Sequence, residues 1–523
     1  MNNYFNASKP VLSPRRHGGT EKRQSVKGMA RISPCFRVSV ASWFLGLILC
    51  LSAAALAQHS DIPSSYRDLR FPAMKDIPVP EPLRFTLPNG MVIYLLEDRE
   101  LPMVSASAMI RTGWRWEPVD KAGLAEMTGK VMRTGGTAQR PGDKLDEELD
   151  RLGAVVETGI GRTSGHATVS VLKEDAGTGL AILADLLRNP AFPEDKIELA
   201  KIELRNAICR RNDNANAIAF RETRRILYGP SSAYGHQPEY PTVDAISRQD
   251  LVAFHRTYFQ PENILLAVWG DFESRAMRTR LEKLFAGWPR GGHPRPAAPK
   301  ADLSSLDHPG IYSLEKTDIN QSWVLISRLG GRMDDPDYYA LSLMDTILGG
   351  GFSSRLFNQV RTRAGLAYSV FSVWSAGWDY PGLFVAGANT HAKTTLTALS
   401  AVRREIRRMT EQEVTPTELT EAKDAVLNGF AFEFDSTGKI LQRLIAYAYY
   451  DYPADYLEKY QENIRNVSRA DILKAGQKYL HGDSFSVLIL GNPEAYEQPL
   501  SSLGKVTPVD IRIPGASAGQ TCP

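Results

Sequence analysis

The feature that most constrains this chain is that it repeats itself. At the end of its first half it reads Ile246-SRQDLVAFHRTYFQPENILLAVWGD, and near its own end Val467-SRADILKAGQKYLHGDSFSVLILGN. Ser247, Arg248, Asp250, Tyr258 and Gly270 recur as Ser468, Arg469, Asp471, Tyr479 and Gly491, each 221 positions later. A constant register over such a length marks an internal duplication. Each copy predicts the same unit. A serine caps a helix that runs to the tyrosine, and an apolar, β-branched run then forms a buried strand ending at glycine. Between the halves, residues 288–310 hold five prolines and read as a linker.

Both halves carry the other parts of one fold. Strands are predicted over 91–96 and 104–111 in the first half and over 321–329 in the second. Helices are predicted over 179–188, with Leu180, Leu183 and Leu187 on one face, and over 195–211, with Ile197, Leu204 and Ile208 at helical spacing. This mixture argues for an α+β protein of two homologous domains, each a largely antiparallel sheet covered by helices. The expected division is a signal peptide at 1–57, an extension at 58–80, an N-terminal domain at 81–288, a linker at 289–310, a C-terminal domain at 311–512 and a tail at 513–523.

The first 37 residues contain eight Lys or Arg and one acid, Glu21, and an uncharged apolar run follows to Ala57. That run ends in Ala55-Leu56-Ala57, the small-x-small pattern of an export signal, so the expected destination is the periplasm or the exterior. Met29 offers an alternative start with a shorter basic region, and a retained anchor is the competing reading of the apolar run. Of the net charge of +3 the leader supplies +7, leaving −4 for the rest. That balance speaks against nucleic acid as a partner. With the leader cleaved, no membrane association is expected. Cys35 and Cys50 fall in the leader. Cys209 and Cys522 remain, and no disulfide framework is indicated.

Arg111-Thr-Gly ends a predicted strand, and Lys121-AGLAEMTGKVMRTGGT then forms a helical segment ending in glycine. Together with LPNGMVIYLLED around Gly90, LADLLRNPAFPED around Pro190 and Tyr228-Gly229, it resembles the pitrilysin/insulinase (M16) family of metallopeptidases. The resemblance spans nearly the whole mature chain. In that family a helix carries Gly-Leu-Ala-His-x-x-Glu-His. The two histidines bind zinc, the glutamate is general base to the bound water, and a distal glutamate completes the ligands. With Gly123-Leu124-Ala125 fixing the register, the resemblance puts Glu126 and Lys130 at the histidine positions, Gly129 at the base and Ala207 at the distal ligand. Glycine cannot act as a base, a protonated lysine repels a dication, and alanine offers no donor. No histidine lies between His59 and His166, and His166 and His236 are too scattered to suggest a rebuilt site. Glu126 and Lys130, spaced i and i+4, are expected to form an ordinary ion pair with each other.

The second half reads Ile347-LGGGFSSRLFNQVRTRAGLAYSVFSVWS. Ser353 or Ser354 can cap a helix carrying Leu356, Phe357 and Val360, Gly365 stops it, and a strand follows over 366–374. Gly349-Gly350-Gly351 lacks the Lys-Ser/Thr of a phosphate loop and predicts a tight turn or close backbone packing. Arg361 and Tyr368 stand seven residues apart. Spacing alone is also met by an arginine that closes helix carbonyls and a tyrosine that packs in a core. The segment resembles the M16 C-terminal-domain signature, in which such a pair holds a substrate carbonyl and donates to the oxyanion. In one branch of the family a zinc-less chain lends this pair to a zinc-bearing relative. The resemblance therefore implies an exported, non-catalytic subunit that binds peptide or unfolded protein through Arg361 and Tyr368, holds no cofactor itself and pairs with a zinc-bearing homologue. The alternatives are a self-sufficient zinc endopeptidase with unusual ligands and a peptide-binding or structural protein without an enzymatic partner.

Overall fold

The structure is a computed structural model, and it describes residues 69, 80–292, 297–299, 309–453, 455–480 and 484–515. The expected leader, nearly all of the extension, much of the 289–310 linker and most of the tail lie outside the described residues. The first half contains strands β1 (Leu83–Thr86), β2 (Val92–Glu97), β3 (Met103–Ile110), β4 (Val155–Ile160), β5 (Gly165–Leu172) and β6 (Ile264–Gly270). Its helices are α1 (Leu124–Gly135), α2 (Gly142–Leu152), α3 (Ala176–Arg188), α4 (Glu194–Cys209), α5 (Ala215–Tyr228), α6 (Tyr240–Asp244), α7 (Arg248–Tyr258) and α8 (Ser274–Phe285). The second half contains β7 (Gly310–Glu315), β8 (Gln321–Leu329), β9 (Ala367–Ser375), β10 (Leu383–His391), β11 (Ser486–Gly491) and β12 (Val506–Pro508). Its helices are α9 (Tyr338–Gly349), α10 (Thr395–Glu411), α11 (Pro416–Ala431), α12 (Thr437–Tyr449), α13 (Tyr456–Asn466) and α14 (Arg469–Tyr479).

The duplication is visible in the topology. One sheet runs β1-β2-β6-β3-β5-β4 and the other β12-β7-β11-β8-β10-β9. Five strands correspond in order and direction. The pairs β2–β6 and β7–β11 are parallel, and from there to the edges at β4 and β9 every pair is antiparallel. The sixth strand differs. β1 joins antiparallel from the start of its half, whereas β12 joins parallel from the end of the other. The repeated serines cap the repeated helices. Ser247 and Ser468 each accept from the backbone N–H of Asp250 or Asp471, whose carboxylates bond back to the serine N–H, before α7 and α14. Both helices end at the paired tyrosines.

Each sheet packs its own helices on one face, burying Ile110, Val131, Leu183 and Leu266 in one core and Ile326, Leu343, Val402 and Ile489 in the other. The opposite faces are closed by an exchange. Ile218 and Ala219 of α5 reach across to Leu325, Val385, Leu488 and Leu490 of the second sheet. In return Leu441, Ile445 and Tyr449 of α12 pack on Tyr94, Leu265 and Ala267 of the first. Because both faces are covered, the central strands read as unbroken apolar runs rather than alternating ones, as in Ile264–Gly270 and Ser486–Gly491. A polar seam adds to this joint. The buried Arg115 guanidinium grips Asp379 through two hydrogen bonds of 2.8 Å, Arg162 donates to Tyr380 at 2.9 Å, and Trp378 stacks on Tyr450.

The structure gives Cys209, at the end of α4, a disulfide bond. The other three cysteines lie outside the described residues. Among the described residues no helix is long and apolar enough to cross a membrane.

Candidate functional site

The helix that carries the zinc motif in the resemblance is α1. Gly123, with a φ of +106°, turns the chain into it, and the buried Glu117 carboxylate accepts from the N–H groups of Gly123 and Ala125 at 3.0 and 2.8 Å. An acceptor at a helix N-terminus satisfies orphan donors and complements the dipole. Glu117 is held in turn by His236, whose Nε2 donates to it at 3.0 Å while Nδ1 donates to the Ser232 carbonyl at 2.9 Å. With acceptors at both ring nitrogens the imidazolium is the matching form. Burial by itself would lower the His236 pKa, but these two hydrogen bonds outweigh it and raise it. His236 therefore supports the start of α1. His166 lies on β5 against Gly159 of β4, with its pKa lowered by burial.

The four positions that would hold and use zinc are all on α1 and α4, which pack side by side. Glu126 is exposed on α1, yet protein surrounds it closely enough that lost hydration raises its carboxyl pKa. Glu117 adds to that shift and Lys130 opposes it. Lys130 does not pair with Glu126 as its spacing suggested. It forms its ion pair with Glu203 of α4, one turn before Ala207. The correction has a plain cause: local spacing sees only one helix, and the neighbouring helix supplies a carboxylate that it cannot reveal. Ala207 is exposed and without a donor.

Gly129 is the most informative of the four. It is buried where α1 crosses β4. A Cβ placed on it would stand 2.6 Å from the Ile160 nitrogen and 2.8 Å from the Gly159 carbonyl carbon. No real Cβ sits that close to backbone, so α1 approaches β4 in a way only glycine permits. Thr158 fixes the contact by donating its hydroxyl to the Gly129 carbonyl at 2.5 Å. The missing general base is thus built into the packing of a helix on a strand. These residues do not fit a zinc site. Among the described residues no group of three or more His, Cys, Asp or Glu could hold a metal ion.

The second half presents the opposite picture. α9 ends at Gly349, where a Cβ would lie 2.1 Å from the Ser372 nitrogen, so close backbone packing of helix on β9 explains that glycine. The predicted helix after Ser354 forms, with the Ser354 hydroxyl accepting from the Phe357 N–H at 3.4 Å, but over Phe357–Arg363 it widens into a π-helical turn. Such turns are rare and concentrate at functional sites. Arg361 lies in this turn, exposed, with its guanidinium carbon 4.7 Å from the Phe357 ring centre and 5.7 Å from that of Tyr368.

Tyr368 is 78 % exposed. Its position has a backbone cause. β10 pairs Asn389 with Ser369 and the next residue, Thr390, with Ala367, which leaves Tyr368 as the extra residue of a β-bulge. Bulges re-aim side chains at sheet edges, and β9 is the edge strand. Of the two readings open at the level of sequence, a tyrosine packed in a core is therefore excluded. The structure brings Arg361 and Tyr368 together on one exposed surface. Sequence spacing reveals neither the bulge nor the π-helical turn.

Two family profiles match this chain. One described as insulinase (peptidase family M16) covers residues 92–231, and one described as peptidase M16 inactive domain covers residues 245–426. An uncharacterized zinc protease of Rickettsia bellii is 26% identical over 420 residues, which are 77% of this chain and 96% of that one. An uncharacterized zinc protease of Bacillus subtilis is 23% identical, covering 69% of this chain and 86% of its own. A crystal structure described as a peptidase M16 inactive domain from Pseudomonas fluorescens superposes with a TM-score of 0.71 at 24% identity, over 80% of this chain and 99% of that one. A protease from Helicobacter pylori superposes with a TM-score of 0.68 at 18% identity, over 79% and 99%. The same α+β fold recurs in both structures, one profile lies within the first half while the other runs from the end of the first half into the second, and the chain belongs to the M16 (insulinase) peptidase family.

Proposed function

We propose that this chain is an exported, non-catalytic M16 subunit that captures peptide and completes the active site of a zinc-bearing homologue with Arg361 and Tyr368. The observation that carries this reading is an asymmetry. The base position, Gly129, is sealed against β4 backbone, whereas Arg361 and Tyr368 stand exposed and adjacent, one in a π-helical turn and one in a bulge. In this reading the Arg361 guanidinium donates to a carbonyl of the bound peptide. The Tyr368 hydroxyl donates to the oxygen that gains negative charge as water adds to the scissile carbonyl. A donor aimed at such an oxygen is worth ~3 kcal/mol of transition-state stabilisation. The zinc and the general base come from the partner. The basic-apolar leader supports export to the periplasm or beyond.

The test is steady-state kinetics on the complex reconstituted with a homologue that carries the intact His-x-x-Glu-His. Tyr368→Phe keeps the ring and is expected to lower kcat on the order of a hundredfold without weakening assembly. Arg361→Ala is expected to raise KM, because a carbonyl clamp acts in ground and transition states alike. A Tyr368→Phe complex that melts normally and cleaves at the wild-type rate removes the chain from the chemistry and leaves a binding or scaffolding role.

A further inference from the structure

Arg162 and Arg224 meet at the seam between the halves with no acid between them. Arg162 stands in the turn between β4 and β5, and Arg224 on α5. Their guanidinium carbons lie 5.0 and 5.9 Å from the centre of one ring, that of Trp114. Arg162 also donates to the Tyr380 hydroxyl at 2.9 Å. Among the described residues neither arginine has an ion pair, and Arg224 makes no hydrogen bond. The carboxylates around them are committed elsewhere. The Glu222 oxygens go to Arg221 and Arg225, those of Asp379 to Arg115, and those of Glu117 to the start of α1 and to His236. His236, edge-on to the same Trp114 ring, spends both ring nitrogens on Glu117 and Ser232. Burial, and after it the charge of Arg162, push the Arg224 pKa down to about 10, so it stays a cation at neutral pH. Two like charges in partial burial repel, and neither has a counter-charge. The pair is also reachable. Both Nε atoms are enclosed, but the terminal nitrogens of Arg224 and one of Arg162 keep accessible surface, beside the partly buried Trp114 and Tyr380.

We propose that Arg162 and Arg224 form a carboxylate clip for the captured peptide, taking its C-terminal carboxylate or the side chain of an aspartate or glutamate. The inference rests on the peptide-capture reading given above and adds a second point of attachment to it. A carboxylate has two oxygens and about four acceptor positions, enough to accept from both guanidiniums at once. Planar guanidiniums match its geometry, and hydrogen bonds between charged partners are the stronger kind. The anion also cancels the repulsion between the arginines, which a neutral ligand leaves in place. Trp114 and Tyr380 offer apolar surface to the carbon chain that bears the carboxylate. A cationic side chain is turned away by the same two charges. Tyr368 starts β9 and Tyr380 follows its end, so the two attachment points are separated by roughly the length of that strand, about 25 Å.

The experiment uses the full chain and peptides of about twelve residues, long enough to span both points when extended. They carry a neutral dye at the N-terminus, and binding is read by fluorescence anisotropy. Each sequence is made with a free C-terminus and as the C-terminal amide, and with each internal glutamate replaced in turn by glutamine. One of these changes is expected to weaken binding about tenfold or more, as for the loss of a charged hydrogen-bonded contact. Loss on amidation identifies the chain terminus as the ligand, and loss at one glutamate identifies an acidic side chain. Arg224→Met, which breaks no ion pair, is expected to bring the carboxylate peptide down to the level of its neutral counterpart. The wild-type comparison needs no variant to fold. Equal binding of every acid and its neutral counterpart, still weakened by Tyr368→Ala, overturns the clip while sparing peptide capture. A carboxylate preference that survives in folded Arg224→Met also overturns it. So does inorganic phosphate that raises the melting temperature while peptide carboxylates make no difference, which would leave a site for free anions. Absence of binding by any peptide overturns the clip and peptide capture together.

Discussion

Tyr228 and Tyr449 are the same residue of the duplication, 221 positions apart, and each hands its hydroxyl to the other half. Tyr228 ends α5 and donates to the Pro381 carbonyl at 2.6 Å, between β9 and β10. Tyr449 ends α12 and donates to the Thr163 carbonyl at 2.5 Å, between β4 and β5. Both helices are the exchanged ones. The two bonds, together with Arg115–Asp379, tie each exchanged helix and each hairpin into one joint.

That joint should make the halves unfold together. Tyr228→Phe and Tyr449→Phe are each expected to lower the unfolding free energy by about 1–2 kcal/mol, the cost of leaving one carbonyl unpaired. Arg115→Ala is expected to cost more, about 3 kcal/mol, since it strands Asp379 beside a buried void. Denaturant unfolding followed by tryptophan fluorescence and by circular dichroism should give coincident single transitions in all three. Two separated transitions in the wild type would show that the exchanged helices do not couple the halves.

Gly129→Ala tests the seal between α1 and β4. On helix propensity alone, alanine in a helix interior gains about 1 kcal/mol over glycine. Against this stands a Cβ 2.6 Å from the Ile160 nitrogen, which forces the helix off the strand. Overpacking of this kind costs roughly 1–3 kcal/mol, so the net effect should be a loss of stability. A variant that melts higher than wild type would mean that α1 is free to move away from β4 and that the contact does not require glycine.

Metal content follows from the same geometry. The purified mature chain is expected to hold no stoichiometric zinc and to cleave no peptide by itself. Elemental analysis and a chelator-sensitive peptidase assay check both. Glu126→His, Gly129→Glu and Lys130→His combined should still give a weak site. Ala207 adds no ligand, and the new carboxylate has no room beside β4. One equivalent of tightly held zinc in the wild type would overturn the partner-dependent reading.

A pH prediction comes from Asp345, enclosed between α9 and β9, where it accepts from the Ser372 hydroxyl at 2.6 Å. Burial pushes its pKa up to about 6, against the opposing hydrogen bonds from Ser372 and the Trp374 backbone. A raised carboxyl pKa means that the folded state binds the proton more tightly than the unfolded one. Its contribution is therefore favourable at low pH and declines as pH rises from about 4 through 6. Asp345→Asn removes the titration. The melting-temperature difference between variant and wild type should be larger at pH 7.5 than at pH 4, by on the order of 2 °C. An unchanged difference across that range would place the Asp345 titration elsewhere.

The sequence alone determined the duplication, the α+β class, the capped helices before Tyr258 and Tyr479, and the absence of the histidines at 126 and 130, of the base at 129 and of a donor at 207. All of these rest on residue identity and local spacing, which a linear reading contains. It also carried the Tyr228/Tyr449 match, at the same offset as the serines, but not what the tyrosines bond to. Only the tertiary structure decided that Lys130 pairs with Glu203, that Gly129 is sealed by β4, that Cys209 is cross-linked, and that a bulge turns Tyr368 outward. Each of these depends on which segment packs against which. Helix and strand periods fix the face a residue occupies, but the neighbour waiting on that face arrives from tens or hundreds of residues away, through a sheet order and a helix exchange that no local pattern encodes.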